Sequence, residues 1–145
     1  MIKKNLVVFL LFIGIGLLLN FSLLDNNFLS DDYRSLYRIL VEKRIIYKGL
    51  FRPLIDVSFY LNYLMSGLNP VSYYLLNILI HCTTAFMVYA VTKRSGIFMD
   101  EKKEQFSLLS GLFFLIYPFH NESIAWLTGR LSSLACLSAM IIIYW

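Results

Sequence analysis

Long apolar runs separated by short polar segments are the main pattern of this sequence. Four runs have the character of membrane spans, and they cover about residues 6–24, 71–91, 106–119 and 131–145. A helix that crosses a bilayer needs roughly 20 consecutive, mostly apolar residues. The pattern therefore predicts an all-α polytopic membrane protein, with a long mixed loop at 25–69 and a short polar loop at 92–105.

The first apolar run follows two lysines, in the sequence MIKKNLVVFLLFIGIGLLLNFSLL. A cleaved signal peptide would have a shorter apolar core, followed by a small-x-small cleavage site. The residues that follow, LLDNNFL, contain no such site. We therefore interpret the run as an uncleaved anchor. Its N-terminus is predicted to stay in the cytoplasm, because Lys3 and Lys4 precede the apolar residues.

Two helices are predicted in the 25–69 loop. The stretch DDYRSLYRILVEKRI has apolar residues at helical spacing with basic residues between them, which is typical of a helix lying on a membrane surface. In the stretch FRPLIDVSFYLNYLMSGLNP, Pro53 suits the first helical turn, and Gly67 follows the apolar residues as an end signal. This second helix is short for a span, so we expect it to be interfacial or half-embedded.

The distribution of positive charge predicts the orientation of the spans. The 92–105 loop is basic and should be cytoplasmic, which makes 25–69 the outer loop. The polar residues singled out below would then share the non-cytoplasmic side: Asp31, Asp32, Arg52, His120, Glu122 and Arg130. The segment Arg34–Arg52 opposes this arrangement, because it is basic as well. Either the topology is inverted, or an anionic ligand such as a lipid phosphate holds these charges outside.

Composition narrows the class of protein and of partner. The chain has 145 residues, of which 59% are hydrophobic and only 15% charged, and a soluble domain of this size would carry more charge. Its formal net charge of +4 is not gathered into one basic block, which argues against nucleic acid and is compatible with anionic lipid. Cys82 and Cys136 fall inside apolar runs, so we expect buried free thiols.

Asp31 and Asp32 form an adjacent acidic pair directly after the first apolar run. Ser30 or either aspartate would be a good N-cap for the following helix, and the spacing alone favours this structural interpretation. The functional alternative is a general base or a metal ligand at the boundary between water and membrane. Two neighbouring carboxylates repel each other, which can raise the pKa of one of them.

The stretch PFHNESIAWLTGR is the second polar constellation. Glu122, Trp126 and Arg130 are four residues apart, so on one continuous helix they would share a face. The structural interpretation is a boundary network, and the functional one is a site for a phosphate or a sugar with Arg130 as the anion-binding group. Within the second span, Asn77 and His81 should face other helices and form interhelical hydrogen bonds.

These motifs together resemble the N-terminal part of GT-C fold glycosyltransferases that use polyprenyl-phosphate sugars. The resemblance is strongest to the transmembrane-and-TPR-repeat type of protein O-mannosyltransferase and its bacterial relatives. In that type an R-P-L…F-x-L-N-Y run precedes a span with N-x-x-x-H, and another span ends in H-P-x-H-x-E-[AS]-V-A-W-x-x-G-R. The matching positions here are Arg52, Pro53, Leu54, Asn62, Tyr63, Asn77, His81, His120, Glu122, Ser123, Ala125, Trp126, Gly129 and Arg130. The departures are Tyr117 in place of His and Ile124 in place of Val.

The resemblance implies an inverting transfer of a mannose-like sugar from a polyprenyl-phosphate donor to a hydroxyl group of a protein or glycan. By position, Asp31 and Asp32 match the family's acidic pair, whose first member is the expected base. Arg52, His120, Glu122 and Arg130 are the expected substrate-binding residues, with the two arginines near the departing phosphate. A divalent metal is an open possibility.

The resemblance also implies a multi-pass protein of the bacterial inner membrane or the endoplasmic reticulum membrane. Because such enzymes have many more than four spans, the chain is expected to be an N-terminal portion of a larger enzyme and inactive alone.

Two other functions stay open. A transporter or flippase for a lipid-linked substrate would place its site near the bilayer midplane. Only Asn77 and His81 lie there in the predicted topology, whereas the acidic residues gather at one surface. A non-catalytic membrane scaffold would not need paired aspartates facing an anion-binding cluster. The arrangement therefore favours surface chemistry on a lipid-linked substrate.

Overall fold

The computed structural model describes residues 2–43, 46–47, 50–97 and 100–145. Within these residues, short 3₁₀ turns (Phe21–Asp25, Pro118–His120 and Leu127–Gly129) and a two-residue antiparallel pair, β1 (Ile46–Tyr47) with β2 (Leu50–Phe51), link α-helices. The helices are α1 (Ile2–Leu19), α2 (Ser30–Leu40), α3 (Pro53–Ser66), α4 (Pro70–Arg94), α5 (Asp100–Ile116), α6 (Asn121–Ala125) and α7 (Arg130–Tyr144). Apart from the short strand pair, the described chain is all-helical, as the sequence predicts.

Helix α4 is the centre of the bundle and packs against α1, α5 and α7. One hydrophobic cluster joins α1, α4 and α5 through buried side chains such as Phe12, Ile78 and Leu115. A second cluster joins α2, α3 and the start of α4 through Phe28, Phe59 and other side chains. This second cluster fixes the two loop helices to one end of the bundle, where the predicted site residues lie.

The described chain has a partly polar interior and an extensive apolar surface. Helix α3 shows this most clearly, because Asp56 and Asn62 are buried while Leu64 and Met65 on its other face are exposed. A helix in lipid turns its polar groups inward and its apolar side chains outward. The stretches Pro70–Arg94 and Leu127–Tyr144 are each long and apolar enough to cross a membrane. These features indicate a membrane location.

Local signals explain where α3 begins and ends. Pro53 occupies the first turn, where the missing N–H of proline is no loss. Gly67 ends the helix with a φ of 62°, a left-handed conformation that glycine adopts without a steric penalty. Both boundaries agree with those predicted from the sequence.

The N-cap of helix α2 is Leu29, one residue before Ser30, the first of the residues predicted for that position.

The two ends of the bundle carry different polar groups. At one end, Lys93 Nζ lies 2.8 Å from Glu104 Oε2 and the Tyr89 hydroxyl donates to Glu104 Oε1 at 2.9 Å, which joins α4 to the start of α5. At the other end, the Tyr74 hydroxyl donates to the Asn27 carbonyl at 2.9 Å, which joins α4 to the segment after α1. The predicted site residues are all at this second end, and the membrane orientation of the two ends stays a prediction.

Candidate functional site

A cleft of about 500 Å³ lies between the start of α3 and the segment that connects α5 to α7. Three residues predicted to bind substrate, Arg52, His120 and Glu122, line this one cleft. The other lining residues are Phe119, Ser123, Trp126, Thr128, Gly129, Leu131 and Ser132. The cleft therefore combines a cation, a carboxylate, an imidazole and aromatic surface.

The charged side chains of the cleft come from helix starts on two elements. Arg52 is exposed and immediately precedes Pro53, so the first turn of α3 fixes its backbone. Glu122 is exposed in the first turn of α6, where a carboxylate is favoured by the partial positive charge of the helix N-terminus. Both side chains are therefore accessible to a ligand in the cleft.

The two aspartates of the acidic pair have different environments. Asp31 is exposed, whereas the side chain of Asp32 is fully buried. Asp32 Oδ2 accepts a hydrogen bond from the Leu29 backbone N–H at 2.9 Å and so closes the first turn of α2. Asp32 also makes a backbone interaction with Thr128, in the turn that lines the cleft. Asp32 therefore connects α2 to the floor of the cleft, and Asp31 is its solvent-accessible neighbour.

Burial dominates the chemistry of Asp32. Its Oδ1 atom is buried and has no hydrogen-bond partner among the described residues. Desolvation by burial raises the pKa of the Asp32 carboxyl, and the charge of Asp31 acts in the same direction. The backbone groups of Leu29 and Thr128 oppose the shift and do not cancel it.

Arg130 is fully buried, and neutral oxygen atoms surround its guanidinium group. Nε donates to Asn77 Oδ1 at 2.7 Å and Nη2 donates to the Tyr73 carbonyl at 2.9 Å. Nη1 donates to both Ser58 Oγ, at 3.0 Å, and Asn62 Oδ1, at 2.9 Å. Arg130 thereby ties the start of α7 to both α3 and α4, behind the cleft wall and not among its lining residues.

Glu122, Trp126 and Arg130 do not share one helix face, so that expectation is wrong. Trp126 has an extended backbone, with φ −103° and ψ 125°, and separates α6 from the next turn. Gly129 packs so closely that an added Cβ atom would lie 2.8 Å from the Glu122 carbonyl oxygen. The chain folds back on itself here, which leaves Glu122 exposed and Arg130 buried.

Asn77 and His81 of α4 form interhelical hydrogen bonds, as predicted. Asn77 donates to the Ile124 carbonyl at 3.1 Å, and His81 Nε2 lies 3.1 Å from the Leu115 carbonyl oxygen. The contact of Asn77 joins α4 to α6, and that of His81 joins α4 to α5. Cys82 is buried as expected, whereas Cys136 is only half-buried.

The sequence did not predict the ion pair between α2 and α3. Arg38 donates two hydrogen bonds to Asp56, at 3.0 and 2.6 Å, and both side chains are largely buried. One cation of the basic Arg34–Arg52 segment therefore serves an internal contact. The only signal for it was a single charged residue, Asp56, in a largely apolar helix. Arg44 and Lys48, from the same segment, lie outside the described residues.

The described residues contain no group of three or more His, Cys, Asp or Glu side chains that could hold a metal ion.

Comparison with known proteins gives one consistent result. The chain is 34% identical over 94 residues to protein O-mannosyl-transferase Tmtc1 of Drosophila melanogaster, an alignment that covers 61% of this chain. It is 37% identical over 94 residues to protein O-mannosyl-transferase TMTC3 of Homo sapiens, covering 63% of this chain. It is 39% identical over 85 residues to protein O-mannosyl-transferase tmtc2 of Xenopus laevis, covering 55% of this chain.

Each alignment spans only a small part of the relative, namely 10% of the fly and human proteins and 9% of the frog protein. No protein-family model and no solved structure matches the chain. The resemblance predicted from the motifs is confirmed by these relatives: the aligned part of the chain is homologous to protein O-mannosyl-transferases of the TMTC type.

Proposed function

We propose that the full-length protein containing this chain is a membrane glycosyltransferase that moves a mannose-like sugar from a polyprenyl-phosphate donor to a hydroxyl group on a protein or glycan. The carrying observation is that Arg52, His120 and Glu122 line one cleft, with Asp32 at the turn behind it. A sugar phosphate needs a cation for the phosphate and acceptors for the hydroxyl groups, and this cleft offers both. The names of the homologous proteins support the same reaction class.

The proposed reaction needs one base and one cation. Asp31, exposed at the start of α2, takes the proton of the acceptor hydroxyl. The resulting oxygen attacks the anomeric carbon and forms the new glycosidic bond, while the bond from that carbon to the phosphate oxygen breaks. The lipid phosphate leaves with the bonding electron pair, and the configuration at the anomeric carbon inverts. Arg52 stabilises the negative charge that the phosphate gains.

Asp32 and Arg130 support this site from behind. Because both side chains are fully buried and bonded to backbone or amide groups, we assign them to positioning the walls of the cleft. Arg130 is then not the direct phosphate ligand that its position in the motif implies. A buried guanidinium with four internal hydrogen bonds fixes the geometry of three helices instead.

The proposed location is a multi-pass protein of the bacterial inner membrane or the endoplasmic reticulum membrane, with the cleft on the non-cytoplasmic side. A polyprenyl donor keeps its chain in the bilayer and presents its phosphate at the surface. The exposed apolar face of α3 supports a position of this helix, and hence of Arg52, at that depth. Membrane lipid is accordingly a partner of the whole bundle.

The test is a transfer assay on the purified full-length protein, with labelled mannosyl polyprenyl phosphate and a hydroxyl-bearing peptide. Arg52→Gln should lower turnover by roughly tenfold or more, the scale expected when one charge-stabilising group is lost. Lys102→Gln is the matched control, because Lys102 is an exposed cation at the opposite end of the bundle. Absence of transfer by the parental protein, or equal turnover of the two variants, would contradict the proposal.

A further inference from the structure

The last carbonyl groups of an α-helix have no donor within it, and at the C-terminus of α5 two of them meet imidazole side chains. In an α-helix the N–H of each residue bonds to the carbonyl four positions earlier. The Phe114 carbonyl would need an N–H at position 118, and Pro118 has none. In its place His120 Nδ1 lies 3.0 Å from the Phe114 oxygen. The His81 ring acts similarly on the next carbonyl, that of Leu115.

This cap determines which nitrogen of His120 carries the proton. A carbonyl oxygen can only accept a hydrogen bond, so Nδ1 is the donor and Nε2 of the neutral ring has a free lone pair. Among the described residues the His120 ring forms its hydrogen bond through Nδ1 and none through Nε2, and His120 lines the cleft. The cap thus leaves one acceptor atom available on the ligand side.

Aromatic packing fixes the direction of that acceptor. The His120 ring centroid lies 4.4 Å from that of Phe114 and 5.3 Å from that of Tyr117. The His81 ring is 5.4 Å away, in an edge-on arrangement. A ring held on several sides and by one hydrogen bond presents its remaining nitrogen in a constant orientation, which is what a preorganised binding site needs.

We propose that His120 has two functions, in which Nδ1–H caps α5 and Nε2 accepts a hydrogen bond from a hydroxyl group of the transferred sugar. This inference rests on the proposed function and assigns one part of the substrate to one atom. A lone pair repels a phosphate oxygen and attracts a hydroxyl hydrogen, so the phosphate belongs with Arg52. Trp126 and Glu122, in the same cleft, offer an aromatic face and a second hydroxyl acceptor.

Amide side chains can separate the two functions of His120. The amide of Asn reaches the position of Nδ1, so His120→Asn keeps a donor for the Phe114 carbonyl and loses the atom at Nε2. The longer Gln reaches the position of Nε2, so His120→Gln keeps an acceptor there and loses the cap. Lys102→Gln is the control, because Lys102 is exposed at the opposite end of the bundle.

The measurements are the affinity of the full-length protein for mannose 1-phosphate and its thermal unfolding temperature. His120→Asn should bind roughly five- to tenfold more weakly, as expected for one lost hydrogen bond, with little change in unfolding temperature. His120→Gln should bind within about twofold of the parental protein and unfold at a lower temperature. Lys102→Gln should change neither quantity.

Parental affinity in His120→Asn would show that His120 is a helix cap alone and would overturn the inference. Affinity of His120→Gln as low as that of His120→Ala would also overturn it, and this comparison does not depend on the folding of the Asn variant. Failure of parental binding to mannose 1-phosphate has the same consequence. The proposed function fails separately, if the parental protein binds this probe but transfers no mannose from the polyprenyl donor.

Discussion

At the scale of single residues, the adjacent carboxylates of the acidic pair allow different chemistry. Asp31 is exposed and Asp32 is buried, so of the two only Asp31 can exchange a proton freely with solvent or a bound acceptor. Asp31→Asn should lower transfer by about two orders of magnitude or more, the usual contribution of a general base, without lowering the unfolding temperature. Steady-state transfer by the full-length variant measures this effect. Near-parental turnover would show that Asp31 is not the general base.

Asp32 should make stability depend on pH. Its folded-state pKa is raised by burial above the ordinary value of 3.8, so the folded protein binds this proton more tightly than the unfolded chain. The stabilising contribution is then complete below the unfolded pKa and is lost as pH rises through the folded pKa. Asp32→Asn should remove this loss and unfold at the parental temperature or higher at pH 7. Unfolding temperatures measured across the acidic range test this, and a variant that is equally pH-dependent would refute it.

We predict that Arg130 contributes more to the free energy of unfolding than Arg52, the exposed arginine of the cleft. Arg130→Lys keeps the charge, but one ammonium group cannot serve Asn77, Asn62 and the Tyr73 carbonyl together. Buried acceptors are left unsatisfied, so the cost should be about 2–4 kcal/mol in the free energy of unfolding. Arg52→Lys is the matched control and should cost little, because Arg52 is exposed. Equal unfolding curves for the two variants would contradict the buried network.

At the scale of elements, the sequence predicts helices well where local signals decide them. Pro53 and Gly67 bound α3 as expected, and Pro118 lies where α5 has just ended. The break between α6 and α7 was not predictable from spacing, since it depends on Gly129 packing against the backbone of Glu122. Tertiary contact overrides helical periodicity at that point, and the burial of Arg130 follows from it.

The ion pair between α2 and α3 should couple these two helices. Arg38 and Asp56 meet through two hydrogen bonds in a largely buried setting. A double-mutant cycle with Arg38→Gln and Asp56→Asn should give a coupling free energy of roughly 1–3 kcal/mol, which exceeds that of an exposed pair. Chemical unfolding of the four proteins measures the coupling. An additive result would mean that the pair does not hold the two helices together.

At the scale of the whole molecule, the arrangement of helices separates two polar ends. The charges around Glu104 lie at one end and the cleft at the other, and positive charge predicts that the first end is cytoplasmic. A cysteine placed at exposed Asn26 should react with an impermeant thiol reagent added to intact cells, whereas one at exposed Ser95 should react only after permeabilisation. The opposite labelling pattern would establish the inverted topology.

The hydrogen bonds of Arg130 also have a consequence for the order of events during synthesis. They connect residues that are 53, 68 and 72 positions apart in the chain. A ribosome releases Ser58, Asn62 and Asn77 well before it reaches position 130, so these groups leave the ribosome without their cation. The wall of the cleft can therefore form only after the start of α7 has left the ribosome. In a nascent chain halted before that point, the side-chain amides of Asn62 and Asn77 would lack their hydrogen bonds to Arg130.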